Sequence, residues 1–214
     1  MYRGGLEPSA IYRGGQPVGR VYRGDTEVWP AYREQIVRYT VVGGHIIELP
    51  SWCREIDFIL LGGGGGGDRG NSGNSNAGDG GQAGRWHVGS AVVPYSNLIL
   101  EVGAGGNGTT GTSFNSTDGG GTRIWGPNNE YVGWGQGGAK GSGTAGSPTG
   151  GSPGSQSYAG LSISGGSGGA MNNDGGSPGG GGGGGNGGIF GIFSRGRPGG
   201  RGEAIIRFRS GPLQ

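Results

Sequence analysis

Three short clusters set flat aromatic rings beside hydrogen-bonding groups: Arg85-Trp86-His87, Arg123-Ile124-Trp125 and Tyr131-Val132-Gly133-Trp134. Sugar rings present weakly polarised C–H faces that stack on aromatic rings, while guanidinium and imidazole groups reach the hydroxyls. Trp86, His87, Arg123, Trp125, Tyr131 and Trp134 are therefore candidate contacts for a polysaccharide, on loops between strands. The same residues have a plainer use, as the few large side chains available to fill a small core. Other chemistry finds little footing. His45 and His87 are isolated and Cys53 is the only cysteine, so no intramolecular disulfide and no metal site are expected. No carboxylate pair or Ser/His/Asp spacing marks an acid, a base or a nucleophile. Lys140 sits in the glycine loop Gly137–Ser142 but without the Walker order of residues. The expectation is a protein that is not an enzyme and takes no cofactor.

Little conventional core is available to hold those clusters. Glycine supplies 62 of 214 residues, and only 30% are hydrophobic and 14% charged. A net charge of +2 gives too weak a field to imply nucleic acid. No apolar stretch approaches the ~18 residues of a membrane helix, and the first residues lack the apolar centre of a signal peptide. Neither membrane insertion nor secretion by the usual route is expected.

The chain divides into three parts. Residues 1–35 carry a ten-residue repeat, Tyr2-Arg3-Gly4, Tyr12-Arg13-Gly14 and Tyr22-Arg23-Gly24. Its later copies read as strand, turn, strand, ending at Trp29. Isolated hairpins are marginal in water, so this part reads as a docking segment, with a floppy leader as the alternative. Tyr2, Arg3, Tyr12, Arg13, Tyr22, Arg23 and Trp29 are its candidate docking residues. Residues 36–210 form a glycine-rich domain, and 211–214 a short tail. Within the domain, Ile36–Val42 and His45–Leu49 flank Gly43-Gly44 as a hairpin would. Ile56–Leu61, Trp86–Val93, Asn97–Val102 and Glu203–Phe208 are further strand-like runs. No run repeats every 3.6 residues, so the chain is expected to be all-β.

Glycine- and serine-rich sequence usually makes linkers, and strict every-third-residue glycine, the mark of collagen, is missing. A linker would have no reason to end in the apolar strand Ile205-Ile206-Arg207-Phe208. The expectation is therefore an ordered, polyglycine-II-like region enclosed by a small antiparallel sheet or sandwich. Its glycine segments would run parallel, dense backbone hydrogen bonding offsetting the entropic cost of glycine. Ile56–Leu61 and Ala204–Phe208 should lie side by side.

Ile56–Leu61 running into Gly62–Gly67, after the turn Pro50-Ser51-Trp52-Cys53, resembles the opening of the glycine-rich domain of phage tail fibres and minor tail proteins. Ser90–Gly106 resembles that domain's second block, a strand pair ending in Val-Gly-Ala-Gly-Gly. Gly111-Thr112-Ser113-Phe114 and Gly199–Phe208 are similar to later landmarks, so the likeness spans residues from about 39 to 210. The N-terminal repeat separately resembles a short pattern of actinobacterial phage minor tail proteins. The resemblance implies a structural or receptor-binding component of a phage tail tip. Such a protein would be made in the host cytoplasm and carried in the virion, docked through its N-terminus to other tail proteins. It would face a host cell-envelope glycan and assemble as a homotrimer. A purely structural assembly protein and an ice-binding polyglycine protein are the alternatives.

Overall fold

In a computed structural model of the chain, residues 11–13, 16–18, 21–23, 26–29, 32–144 and 146–211 are described, the first four stretches as backbone. Those four form two antiparallel hairpins: β1 (Ile11–Arg13) with β2 (Gln16–Val18), and β3 (Val21–Arg23) with β4 (Thr26–Trp29). Tyr2 and Arg3 lie outside the described residues, as do the side chains of Tyr12, Arg13, Tyr22, Arg23 and Trp29.

All regular structure among the described residues is β. One sheet has the order β5 (Glu34–Tyr39), β14 (Glu203–Arg209), β7 (Glu55–Leu61), β8 (Trp86–Val92), every pair antiparallel. The second has the order β11 (Tyr131–Gly135), β10 (Thr122–Trp125), β9 (Asn97–Val102), β6 (Gly43–Glu48), also antiparallel. Alternation along each strand decides which residues meet between the sheets. Ile56, Phe58, Leu60, Ala204, Ile206 and Phe208 come from the first, and Ile47, Leu98, Leu100, Val102 and Ile124 from the second. A hairpin, β12 (Ser155–Tyr158) with β13 (Leu161–Ser164), covers part of the first sheet's outer face. There Leu161 and Ile163 pack on Ile59.

The closing strand lies beside Ile56–Leu61 as its apolar pattern requires, with Ile206 opposite Phe58 and Ile205 opposite Ile59. Two neighbours in sequence are not neighbours in a sheet. Gly43-Gly44 does not turn a hairpin: β5 pairs with β14 and β6 with β9, so the chain passes there from one sheet to the other. Gly43, at a φ of 113°, supplies the left-handed bend. Splitting the two runs lets Val37 and Ile47 reach the same core from opposite sides. Ser90–Val102 divides in the same way, β8 to the first sheet and β9 to the second.

The glycine segments extend from one end of the two sheets rather than lying between them. Leu61 leads directly into Gly62–Gly67, whose amides are donated in a three-residue rhythm, the repeat of polyproline II. Gly62, Gly65 and Asp68 donate to Arg85, Gln82 and Asp79; Gly63 and Gly66 to Gly120 and Thr117; Gly64 and Gly67 to Gly200 and Arg197. Its carbonyls accept in the same rhythm. Gly63 and Gly66 receive Gly138 and Gly141, Gly64 and Gly67 receive Gly106 and Thr109, and Gly65 and Asp68 receive Gly182 and Gly185. One buried segment is thus hydrogen-bonded on all sides. Gly179–Gly185 is a second such centre, sharing 62–68, 79–84 and 197–201 and adding 148–151, 169–172 and 173–176.

Partner numbers rise along some neighbours and fall along others, so the bundle is mixed rather than parallel. Segments 62–68, 103–109, 137–141, 166–169 and 179–185 run outward, and 79–85, 117–120, 148–151, 173–176 and 197–201 return. A continuous chain that leaves the sheets and comes back must alternate in this way. The connections far from the sheets fall around residues 69–78, 110–116, 142–144 with 146–147, 170–172 and 186–196. These distal loops carry exposed apolar side chains, Phe114, Ile189, Phe190 and Ile192. The guanidinium of Arg69 stacks between the rings of Phe114 (4.1 Å) and Phe193 (4.8 Å).

Candidate functional site

Arg123-Ile124-Trp125 and Tyr131–Trp134 were expected on loops and are strands. Alternation explains this: Thr122 and Ile124 are fully buried while Arg123 is exposed, a period-two pattern too short to stand out beside so much glycine. The register places Arg123 opposite Trp134 and Trp125 opposite Tyr131, with a bulge between Ile124 and Trp125. On the other side Arg123 faces Glu101 and Trp125 faces Ile99, and Ile99 faces Ile46. Two cross-strand rows thus share the outer face of the second sheet. One is Tyr131–Trp125–Ile99–Ile46, in which Tyr131 is 67% and Ile46 73% exposed. The other is Trp134–Arg123–Glu101.

Polar groups fix this face. Arg123 Nη2 is 2.9 Å from Glu101 Oε2, and its guanidinium lies 5.3 Å from the Trp125 ring centre. The Trp134 indole lies so close over Gly121 that a β-carbon there would meet Nε1 at 2.1 Å, so glycine is what allows the ring to lie flat. The turn between β10 and β11 is tied by Glu130, which accepts from the Asn128 amide (2.8 Å) and its side-chain nitrogen (3.1 Å). Hydrogen bonds from its own backbone amide and from Asn128 hold the Glu130 carboxyl below the usual carboxylate range. Arg123, Trp125, Tyr131 and Trp134 enclose a shallow cleft of about 180 Å³ with Ile124 and Gly133. Rings with a flanking cation and carboxylate suit a sugar: C–H faces on the rings, hydroxyls on the charged pair.

Trp86 and His87 are elsewhere. Trp86 faces the β12–β13 hairpin and donates from Nε1 to the Pro153 carbonyl (2.7 Å). His87 stacks on Phe58 toward the space between the sheets (centroids 5.8 Å, 20°). The filling role weighed for these aromatics describes both, whereas the other four stand at the surface.

A second polar cluster had no signal in the sequence, because Asp57 lies 150 and 152 residues from the two arginines that bind it. Asp57 is fully buried on the outer face of the first sheet. Its Oδ2 accepts from Arg207 Nη2 (2.6 Å) and Arg209 Nε (2.9 Å), and its Oδ1 from Arg209 Nη2 (3.1 Å) and Ser90 (2.5 Å). Glu55 pairs with Arg209 at 2.5 Å. Burial alone would raise the Asp57 pKa, but the bonds from Arg209, Ser90 and Arg207 outweigh it and lower the value. A carboxyl whose folded pKa is depressed stabilises the fold above its unfolded value of ~3.9, and that stability is lost as pH falls through the folded pKa. Melting temperature should therefore hold from pH 7 to about 5 and fall steeply below about 4. In Asp57→Asn that acid step should shrink and neutral stability should drop by about 3 kcal/mol, since two buried guanidinium groups lose the carboxylate they share and keep only Glu55, on Arg209, and the more distant Glu34, 3.8 Å from Arg207. Identical acid profiles for the two proteins would contradict this role.

The architecture defines a class: an all-β sandwich continued by an ordered glycine bundle. A family model described as a glycine-rich domain matches residues 40–209, and the chain belongs to that family. No curated protein matches the chain.

Proposed function

We propose that the protein is a structural and receptor-binding component of a phage tail tip, a minor tail or fibre protein without enzymatic activity. The observation that carries this reading is the polarity of the molecule. Every outward glycine segment returns, so the distal loops gather at one end. Glu34, where β5 begins, pairs with Arg209 at the far end of the first sheet, so the route from the N-terminal hairpins enters opposite the loops. Attachment through the N-terminus would leave the loops pointing away from the tail, toward the host. The resemblance of residues from about 39 to 210 to tail-fibre domains supports the same reading. The cleft of Arg123, Trp125, Tyr131 and Trp134 would hold a neutral stretch of host envelope glycan from the side, and the working unit would be a homotrimer with other tail proteins as neighbours.

The test is a small epitope inserted between Gly143 and Gly146, imaged with antibody on intact virions. The expected label sits at the outermost point of the tail. Label along the tube, or none on virions that contain the protein, would contradict the proposal. A purely structural assembly role is the second reading, favoured by Val41, Ile46 and Val92, each exposed by 69% or more, as a protein partner would cover them. Glycan binding separates the two readings. Envelope polysaccharide should be retained by the purified protein without shortening, and Trp125→Ala should weaken retention about tenfold, the loss of one stacking contact of ~1.5 kcal/mol. Equal retention by Trp125→Ala, or none by the wild type, would favour assembly alone.

A further inference from the structure

Beside the distal end, a polar groove of about 370 Å³ opens between the excursion 107–117 and the return strand 195–198. Its walls are set by internal hydrogen bonds. Asn115 accepts from the Thr110 amide (2.9 Å) and donates to Thr110 Oγ1 (2.9 Å). Thr117 Oγ1 accepts from the Asn107 amide (2.8 Å), and the buried Thr109 Oγ1 accepts from the Gly196 amide (2.8 Å), closing the floor. These bonds consume acceptors and leave donors. The hydroxyl protons of Thr110 and Thr117 have no partner among the described residues, and the Asn107 side chain is likewise free. Arg195, exposed on the opposite wall, has no carboxylate partner among the described residues, whereas Arg197 is neutralised by Asp174 at 2.8 Å.

A donor-rich groove with one uncompensated guanidinium is complementary to an anion that also carries several acceptor oxygens. We infer that this groove binds an acidic sugar, its carboxylate taken by Arg195 and its hydroxyl and ring oxygens by Asn107, Thr110 and Thr117. The volume fits one or two sugar rings. The walls belong to the hydrogen-bonded bundle, so little ordering is lost on binding. This site is separate from the aromatic cleft of the second sheet, uses opposite chemistry, and does not depend on the tail-tip reading.

The experiment is titration of the purified full chain with a hexuronic-acid trisaccharide and with its neutral hexose counterpart, followed calorimetrically. The acidic sugar should bind and, in a Trp125→Ala background that disables the aromatic cleft, the neutral one about tenfold or more weakly. Arg195→Gln should reduce acidic binding about 10- to 100-fold, the range for a lost charge-assisted hydrogen bond, and Asn107→Ala by less. Both side chains are exposed, and unchanged melting curves establish that the variants are folded. Gly44→Ala, where a β-carbon meets nothing within 4 Å and which lines neither site, should leave acidic binding as it is. Absence of binding at millimolar sugar, equal affinity for both sugars in that background, or unchanged acidic binding in Arg195→Gln would each overturn the assignment. Full competition by equimolar inorganic phosphate would also overturn it, because the groove would then read charge alone.

Discussion

Gly65→Ala is expected to leave little folded protein at room temperature. A β-carbon at Gly65 would stand 2.0 Å from the carbonyl oxygen of Ala139, which is backbone and cannot rotate away. That carbonyl already accepts from the Gln82 amide at 2.7 Å, and Gln82 in turn accepts from Gly65 at 2.9 Å. Making room for one methyl group means moving segment 137–141 and straining the return strand 79–85 with it. Each buried backbone group left unpaired costs roughly 1–3 kcal/mol, and several would be exposed at once against a total of ~5–15 kcal/mol for a domain. Gly44→Ala is the matched control, because a β-carbon there meets nothing within 4 Å; it should change stability by less than about 0.5 kcal/mol. Urea denaturation of the two variants reads the difference, and similar midpoints would mean that the bundle is looser than its hydrogen bonds describe.

Ile206→Asp should be nearly as damaging, by a different route. Ile206 is fully buried between the sheets, opposite Phe58 on one neighbour and Val37 on the other. A carboxylate there has no partner within the apolar core and costs several kcal/mol. Ile205 points the other way, half-buried under the β12–β13 hairpin, where part of a carboxylate stays in water. Ile205→Asp should therefore lower the melting temperature clearly less than Ile206→Asp. Reversal of that order, read by circular dichroism on heating, would place the closing strand in the wrong register.

How much of this was legible depended on the range of the signal. Apolar runs that form whole strands, Ile56–Leu61 and Glu203–Phe208, declared both their conformation and their pairing, because they are the strongest apolar runs at either end of the glycine tract. The sheet of each strand was not legible. Gly43-Gly44 has the composition of a hairpin turn, and only the demand of two facing sheets for Val37 and Ile47 sends the chain across instead. Strands β10 to β13 were hidden by brevity, four or five residues each amid glycine, and with them the fact that Arg123, Trp125, Tyr131 and Trp134 share one face. Cross-strand register brought those four together, and alternation along β8 sent Trp86 toward the β12–β13 hairpin and His87 toward the space between the sheets. The alternating course of the glycine segments follows from chain connectivity, which composition does not encode. Asp57 with Arg207 and Arg209, and the groove of Asn107 with Arg195, join residues too distant in sequence for any spacing to announce.

Everything above rests on the glycine tract being a hydrogen-bonded body rather than a tether. Backbone amide hydrogen exchange of the full chain at neutral pH tests that claim residue by residue. The amides of Gly62–Gly67 and Gly179–Gly185, each donated to a carbonyl within 3.3 Å, should exchange orders of magnitude more slowly than those of an unfolded chain, with protection approaching that of Ile56–Leu61. Exchange across both runs at the rate of free peptide, while the sheet strands stay protected, would show a sandwich trailing loose glycine loops and would contradict the account.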